Sequence, residues 1–145
     1  MFAKRTEELM HEIHQSGDIF TYLANNHDQL LSLSAHEFLS QMREQKGLSR
    51  REIVKACGFD QVYAYQILAG IKNGGRDKLL CLALAMHLDE WQTGTLLYLS
   101  GEARLYARSR RDAVILFAIR RQLDVYAADD LLDQSGEKTL SNANA

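Results

Sequence analysis

The chain has 145 residues, of which 46% are hydrophobic and 25% charged, and its formal net charge is −2. This composition fits one globular domain with room for a core, and the slightly acidic balance excludes a strongly basic nucleic-acid binder. No apolar run is long enough to cross a membrane, and residues 1–14 are too charged for a signal peptide. We therefore expect a cytoplasmic protein without a membrane segment.

Residues 1–33 form an acidic N-terminal extension with two basic and five acidic side chains. Two short helices are expected there, the first with Leu9, Met10 and Ile13 on one side and the second capped by Asp18. His11 and His14 stand three residues apart, but no further ligand completes a metal site. We interpret them as surface residues and predict no metal.

Residues 34–101 carry the signals of five short helices. Ser34–Glu37 and Ser49–Glu52 have the spacing of capping boxes, Asp89–Gln92 is a looser version, and Asp60 is a single cap. Glycines follow the helical segments. Apolar residues recur at helical spacing, which predicts these core positions: Phe38, Leu39, Met42, Ile53, Val54, Cys57, Tyr63, Ala64, Ile67, Leu68, Leu79, Leu80, Ala83, Leu84, Trp91, Leu96, Leu97 and Leu99.

Residues 102–140 form a C-terminal helical extension, and residues 141–145 are expected to be a disordered tail. The helix at 111–123 is amphipathic, with Ala113, Val114, Phe117 and Ala118 on its predicted apolar face. This helix either mediates dimerisation or packs on the preceding helices. The cluster Arg104–Arg111 is either a solvated face or a patch that contacts phosphate or a partner.

No arrangement of residues indicates an enzyme. Cys57 and Cys81 lie among apolar neighbours and are expected to be buried, reduced thiols. The stretch "NGGR" lacks the strand and the Lys-Ser/Thr of a phosphate-binding loop, and no nucleophile–base pair is apparent. We predict neither catalytic activity nor a cofactor.

Residues 36–101 resemble the repressor/Cro-like (Xre-type) helix-turn-helix family. The resemblance is carried by "LSRREIVKACGFDQVYAYQILAGIKN" and the helices that follow. In that family a Leu-Ser/Thr pair, a polar pair and Glu open the first motif helix, Gly marks the turn, and Ile-x-x-Gly closes the second helix. These positions are occupied here by Leu48, Ser49, Arg50, Arg51, Glu52, Gly58, Ile67 and Gly70.

The resemblance implies an all-α fold: a five-helix helix-turn-helix domain with extra N- and C-terminal helices. It implies a DNA-binding transcriptional regulator, most simply a repressor, that acts on double-stranded DNA as a homodimer and inserts helix 61–69 into the major groove. The bases would be contacted by Gln61, Val62, Tyr65 and Gln66. Phosphates would be contacted by Arg50, Arg51, Lys72, Asn73 and Arg76.

One feature opposes this interpretation. The second motif helix carries no positive charge, and Asp60 places a negative charge at its start. The alternative is a protein-interaction adaptor or antitoxin-like partner that retains the fold without binding DNA, since Tyr and Arg are favoured at protein interfaces. A regulator controlled by an effector bound to the terminal segments is a third possibility.

Overall fold

The computed structural model describes residues 4–141 of the chain, and within them every regular element is a helix. The expected all-α class is therefore confirmed. The α-helices are α1 (Thr6–Gln15), α2 (Ile19–Asn25), α3 (Ala35–Lys46), α4 (Arg50–Ala56), α5 (Gln61–Leu68), α6 (Arg76–Ala85), α7 (Glu90–Leu99), α8 (Arg110–Arg120) and α9 (Val125–Gln134). The chain divides into two compact units, with the boundary between Ser32 and Leu33. No helix in 4–141 combines the length and apolarity needed to cross a bilayer.

The N-terminal unit consists of α1, α2 and one 3₁₀ turn, His27–Gln29. A polar cluster joins its parts: Lys4 Nζ lies 2.7 Å from a Glu12 carboxylate oxygen, and the Asn26 amide donates to the other Glu12 oxygen at 2.7 Å. Asp18 caps α2 as expected, accepting from the Phe20 N–H. Helix α1 buries none of its residues, and Met10 is 54% exposed. The predicted apolar side of α1 is therefore largely open to solvent.

Side-chain caps fix where the helices of the second unit begin. Ser34 and Glu37, Ser49 and Glu52, and Asp89 and Gln92 all form complete capping boxes. In each box the side chain of the cap residue accepts a free N–H of the first turn. The side chain of the third helical residue accepts the backbone N–H of the cap residue in return. The boundaries predicted from these signals are confirmed.

Helix α6 forms the centre of the second unit. All residues from Leu79 to Ala85 are buried, and the helix contacts α4, α7 and α9. Burying one Leu side chain of this kind stabilises the fold by about 1.5–3 kcal/mol. The helix lacks a polar face because neighbours surround it, which is why its apolar run "LLCLALA" is continuous.

Helices α8 and α9, expected as a C-terminal extension, belong to the same compact unit as α3–α7. The segment after α9 is tied down on both sides. The Arg111 guanidinium donates to the carbonyls of Lys138 and Thr139, and Asp129 accepts the N–H groups of Leu140 and Ser141. Ser141, expected to begin a disordered tail, is therefore held by Asp129; the remaining tail residues 142–145 lie outside the described residues.

The apolar face predicted for α8 is correct for Ala118, which is buried, and for Val114, which packs partly buried against the core, but it is wrong for Ala113 and Phe117. The buried residues of this helix are Asp112, Ile115, Ala118 and Ile119, whereas Ala113 is exposed and Phe117 is 46% exposed. Residues 113–119 are all apolar, so periodicity alone did not determine which face turns inward. The buried face of α8 is the one that carries Asp112, whose carboxylate forms an ion pair with Arg76 on α6.

Candidate nucleic-acid interface

Helix α5 presents a continuous polar and aromatic face to solvent. Gln61, Val62 and Tyr65 are exposed and Gln66 is half-buried, while Ala64, Ile67 and Leu68 lie in the core. These four positions are spaced i, i+1, i+4 and i+5, which puts them on one side of a helix. All four predicted base-contacting residues therefore share one accessible face. Tyr63 is partly buried, with its ring edge against Phe59.

The connection between α4 and α5 is short and closely packed. Gly58 adopts φ +81°, a left-handed conformation that favours glycine. A Cβ atom at Gly58 would lie 2.9 Å from Val125 Cγ1 on α9. Asp60 turns back on its own helix, and its carboxylate accepts the Tyr63 N–H at 2.9 Å. The negative charge that opposed DNA binding is thus engaged in capping α5.

The end of α5 leads directly into two further predicted contacts. Gly70 has φ +83°, and the N–H groups of Ile71 and Lys72 both donate to the Gln66 carbonyl. This arrangement closes the helix and leaves Lys72 and Asn73 exposed. Neither side chain has a hydrogen-bonding partner within residues 4–141.

Four positive charges around α4 and α5 have no partner inside the described part of the chain: Arg50, Arg51 and Lys55 on α4, and Lys72 after α5. All four are exposed. Most other cations of the second unit are engaged. Arg111 forms an ion pair with Asp77, and the guanidinium of Arg121 lies 4.7 Å from the Phe117 ring centroid. The unpaired charge of this unit is therefore concentrated on the α4–α5 pair.

Arg76 was predicted to contact phosphate, but in the structure its side chain binds Asp112. It begins α6 rather than lying in a loop, and its guanidinium donates to both oxygens of Asp112 at 3.1 and 2.8 Å. It also donates to the carbonyls of Ala103 and Arg104. Because four hydrogen bonds and the charge of Asp112 already engage its guanidinium, Arg76 is not a free phosphate contact.

The cluster Arg104–Arg111 is divided among several partners. Arg104 lies 5.5 Å from the Tyr98 ring centroid, Arg110 donates to the Ser135 carbonyl, and Arg111 pairs with Asp77. Of the four arginines, Arg108 alone has no partner among the described residues. The cluster mainly attaches α8 to its neighbours.

Three residues near this surface were missed by sequence reasoning. Lys55 lies one helical turn after Arg51, so helical spacing could have identified it. Ile71 is 69% exposed, and no local signal distinguishes it from the core isoleucines. His36 lies against Gly70, a contact between α3 and the end of α5 that only the tertiary structure reveals.

The two thiols are buried and reduced. Burial raises the pKa of Cys57, and it raises the pKa of Cys81 to about 12. Because the thiolate is the nucleophilic and metal-binding form, neither group is suited to reaction near neutral pH.

No protein-family model matches this chain, and no curated protein or solved structure is significantly similar to it.

Proposed function

We propose that this protein is a sequence-specific DNA-binding transcriptional regulator, most simply a repressor, in which α4 and α5 form a helix-turn-helix and α5 enters the major groove. The observation that carries the proposal is the set of four unpaired cations, Arg50, Arg51, Lys55 and Lys72, placed before and after an exposed helix face that has no charge of its own. Cations on the flanks bind phosphates, and neutral side chains between them contact bases.

The side chains on α5 suit base recognition. Gln61 and Gln66 each carry an amide that can bond bidentately to adenine, and Val62 can contact a thymine methyl group. Val62 is 65% exposed and Tyr65 is 41% exposed, so both are accessible. With few cations, affinity for a single site is modest. A homodimer that binds two half-sites one helical turn apart would compensate for this.

The exposed side of α8 is the surface we propose for dimerisation. Phe117 is 46% exposed although it lies on a helix whose other face is core, and Arg120 and Arg121 lie one turn further on. Aromatic and Arg side chains are enriched at interfaces. Light scattering should give the mass of two chains, and Phe117→Asp should yield monomers that retain their helical content. A wild-type monomer at 100 μM would exclude this surface as a stable interface.

The test of DNA binding uses the cations themselves. Arg50→Ala, Arg51→Ala and Lys72→Ala are combined, and duplex affinity is measured over a salt series. Each phosphate contact contributes about 0.9 to the slope of log K against log salt concentration. We expect the slope to fall by about two to three per protomer. The control combines Arg108→Ala and Lys138→Ala, which remove two unpaired cations outside the α4–α5 pair and should leave the slope unchanged. Equal slopes for both variants would contradict the proposal.

A protein partner is the second candidate, favoured by exposed apolar residues on α5 and directly after it. Val62 and Ile71 are 65% and 69% exposed, and Tyr65 lies between them in sequence. An adaptor or antitoxin-like protein would use them to bind a protein rather than bases. A stoichiometric partner that is released by Val62→Asp, combined with no selected duplex, would favour this candidate.

A further inference from the structure

A cleft of about 260 Å³ lies between the start of α3 and the segment that follows α5. Its polar lining includes His36 from α3 and Lys72 and Asn73 from the segment after α5. Its floor includes Leu39 and Leu79, which are both buried. The cleft therefore combines a rigid apolar base with hydrogen-bond donors, immediately beside the proposed recognition helix.

The imidazole of His36 is held in place from two directions. Its ring lies so close to Gly70 that a Cβ atom there would come within 2.7 Å of Cγ and Nδ1. Nδ1 is 3.2 Å from the Ser34 hydroxyl oxygen. When the ring is charged, Nδ1–H donates to that hydroxyl, and Nε2–H remains as a donor without a partner in residues 4–141.

Two charged groups face His36. On its own helix, Glu37 accepts the Ser34 N–H at 3.1 Å, and the hydrogen bonds from Ser34 lower the pKa of Glu37, which keeps it ionised. From the segment after α5, Lys72 contributes a positive charge to the same cleft. At the end of α7, the neutral residue Ser100 also lines the cleft. Glu37 therefore contributes a negative charge and Lys72 a positive charge to the surroundings of His36.

We propose that this cleft is a phosphodiester subsite of the DNA-binding surface, with His36 as a third contact beside Lys72 and Asn73. The inference rests on the proposed function. A phosphodiester carries one negative charge on two free oxygens, which matches an ammonium, an amide and an imidazole N–H around one cleft. The charged imidazole adds one cation to the contact, so duplex binding strengthens when His36 is protonated.

The experiment measures the salt slope of duplex affinity at pH 5.5 and pH 8 for the full chain. One additional phosphate contact steepens the slope by about one per protomer. Wild type should be steeper at pH 5.5 than His36→Gln by that amount, and the two should agree at pH 8. His87→Asn is the matched control, since His87 is also exposed and its φ of +55° is tolerated by Asn. It should behave as wild type. Identical slopes for His36→Gln and wild type at pH 5.5 would overturn the proposal.

A second readout separates this inference from the proposed function. Inorganic phosphate is titrated into wild-type protein at pH 5.5, and the NMR signals of the His36 ring and of the Asn73 side chain are followed. Saturable shifts that are lost in Lys72→Ala would support the subsite even if no duplex bound, in which case the free anion is its ligand. If neither duplex nor phosphate shifted these signals, the subsite would be wrong.

Discussion

Arg76 and Asp112 form a two-bond ion pair that joins the first turn of α6 to the first turn of α8. Their side chains are only 21% and 10% exposed. Asp112 also accepts the Tyr106 N–H at 3.0 Å, so one carboxylate fixes both a helix and the loop that leads to it. Arg76, which the family resemblance predicted to contact DNA phosphate, therefore links α6 to α8 within the second unit.

We expect Asp112→Asn to lower the free energy of unfolding by about 2–3 kcal/mol, because it leaves the largely buried Arg76 guanidinium without its counter-charge. Chemical denaturation measures this. Glu90→Gln is the control: it breaks the exposed Arg120–Glu90 pair, whose side chains are 77% and 48% exposed, and should cost less than about 0.5 kcal/mol. Similar losses for the two variants would contradict the assigned role.

The Arg76–Asp112 pair should make the free energy of unfolding depend on pH in the acidic range. Burial alone would raise the pKa of Asp112, but hydrogen bonds from Arg76 and the Tyr106 N–H, with the nearby positive charges, lower it below the usual value. A lowered pKa in the folded state stabilises the protein above the pKa of the unfolded chain, and this contribution is lost as pH falls through the folded value. The difference in unfolding free energy between wild type and Asp112→Asn should therefore narrow from about pH 4 downward. A difference that is constant from pH 6 to pH 2 would refute this.

Gln61→Ala combined with Gln66→Ala should abolish discrimination between the selected duplex and a scrambled one, while the thermal unfolding midpoint changes little. Gln61 is exposed and Gln66 is half-buried, and neither belongs to the hydrophobic core. Each bidentate contact to a base accounts for about 1–3 kcal/mol of discrimination. Gln45→Ala with Gln134→Ala controls for removal of exposed glutamines elsewhere in the unit. Unchanged discrimination in the first variant would exclude α5 as the reading helix.

Gly58→Ala should destabilise the protein more than Gly101→Ala does. Both glycines have positive φ, +81° and +71°, so each substitution carries a left-handed penalty of about 1–2 kcal/mol. At Gly58 the new methyl group would also meet Val125 Cγ1 at 2.9 Å, whereas nothing lies within 4 Å at Gly101. Equal midpoints in denaturant for the two variants would mean that α9 does not press on the α4–α5 turn.

The thiols provide a check on core packing. Both Cys57 and Cys81 are fully buried, and the pKa of each is raised by burial. At pH 8 a thiol reagent should label neither within the time that labels the denatured chain completely. Rapid labelling of either cysteine in the native state would show that the core opens.

The helices were predictable because their signals are local. Ser34–Glu37 and Ser49–Glu52 specify helix starts by side chains three residues apart, and the structure has these caps. The exposed face of α5 followed from the spacing of its inward partners, Ala64, Ile67 and Leu68. Each of these inferences needs only neighbours within one or two helical turns.

The features that the sequence did not predict depend on contacts between segments that are distant along the chain. Trp91 was expected in the core but is 42% exposed. The inward face of α8 was only partly predicted, because residues 113–119 are all apolar and give no periodicity. The role of Arg76 depends on Asp112, which is 36 residues away. The His36 cleft likewise joins segments more than 30 residues apart. No local pattern encodes such pairings.

The most direct test of the central claim is selection from a pool of genomic duplex fragments by the purified full chain, repeated over a salt series and followed by sequencing. We predict enrichment of one motif with two related half-sites one helical turn apart, with binding that weakens steeply as salt rises. Retention that is weak and shows no enriched sequence at any salt concentration would contradict the DNA-reading role of α5.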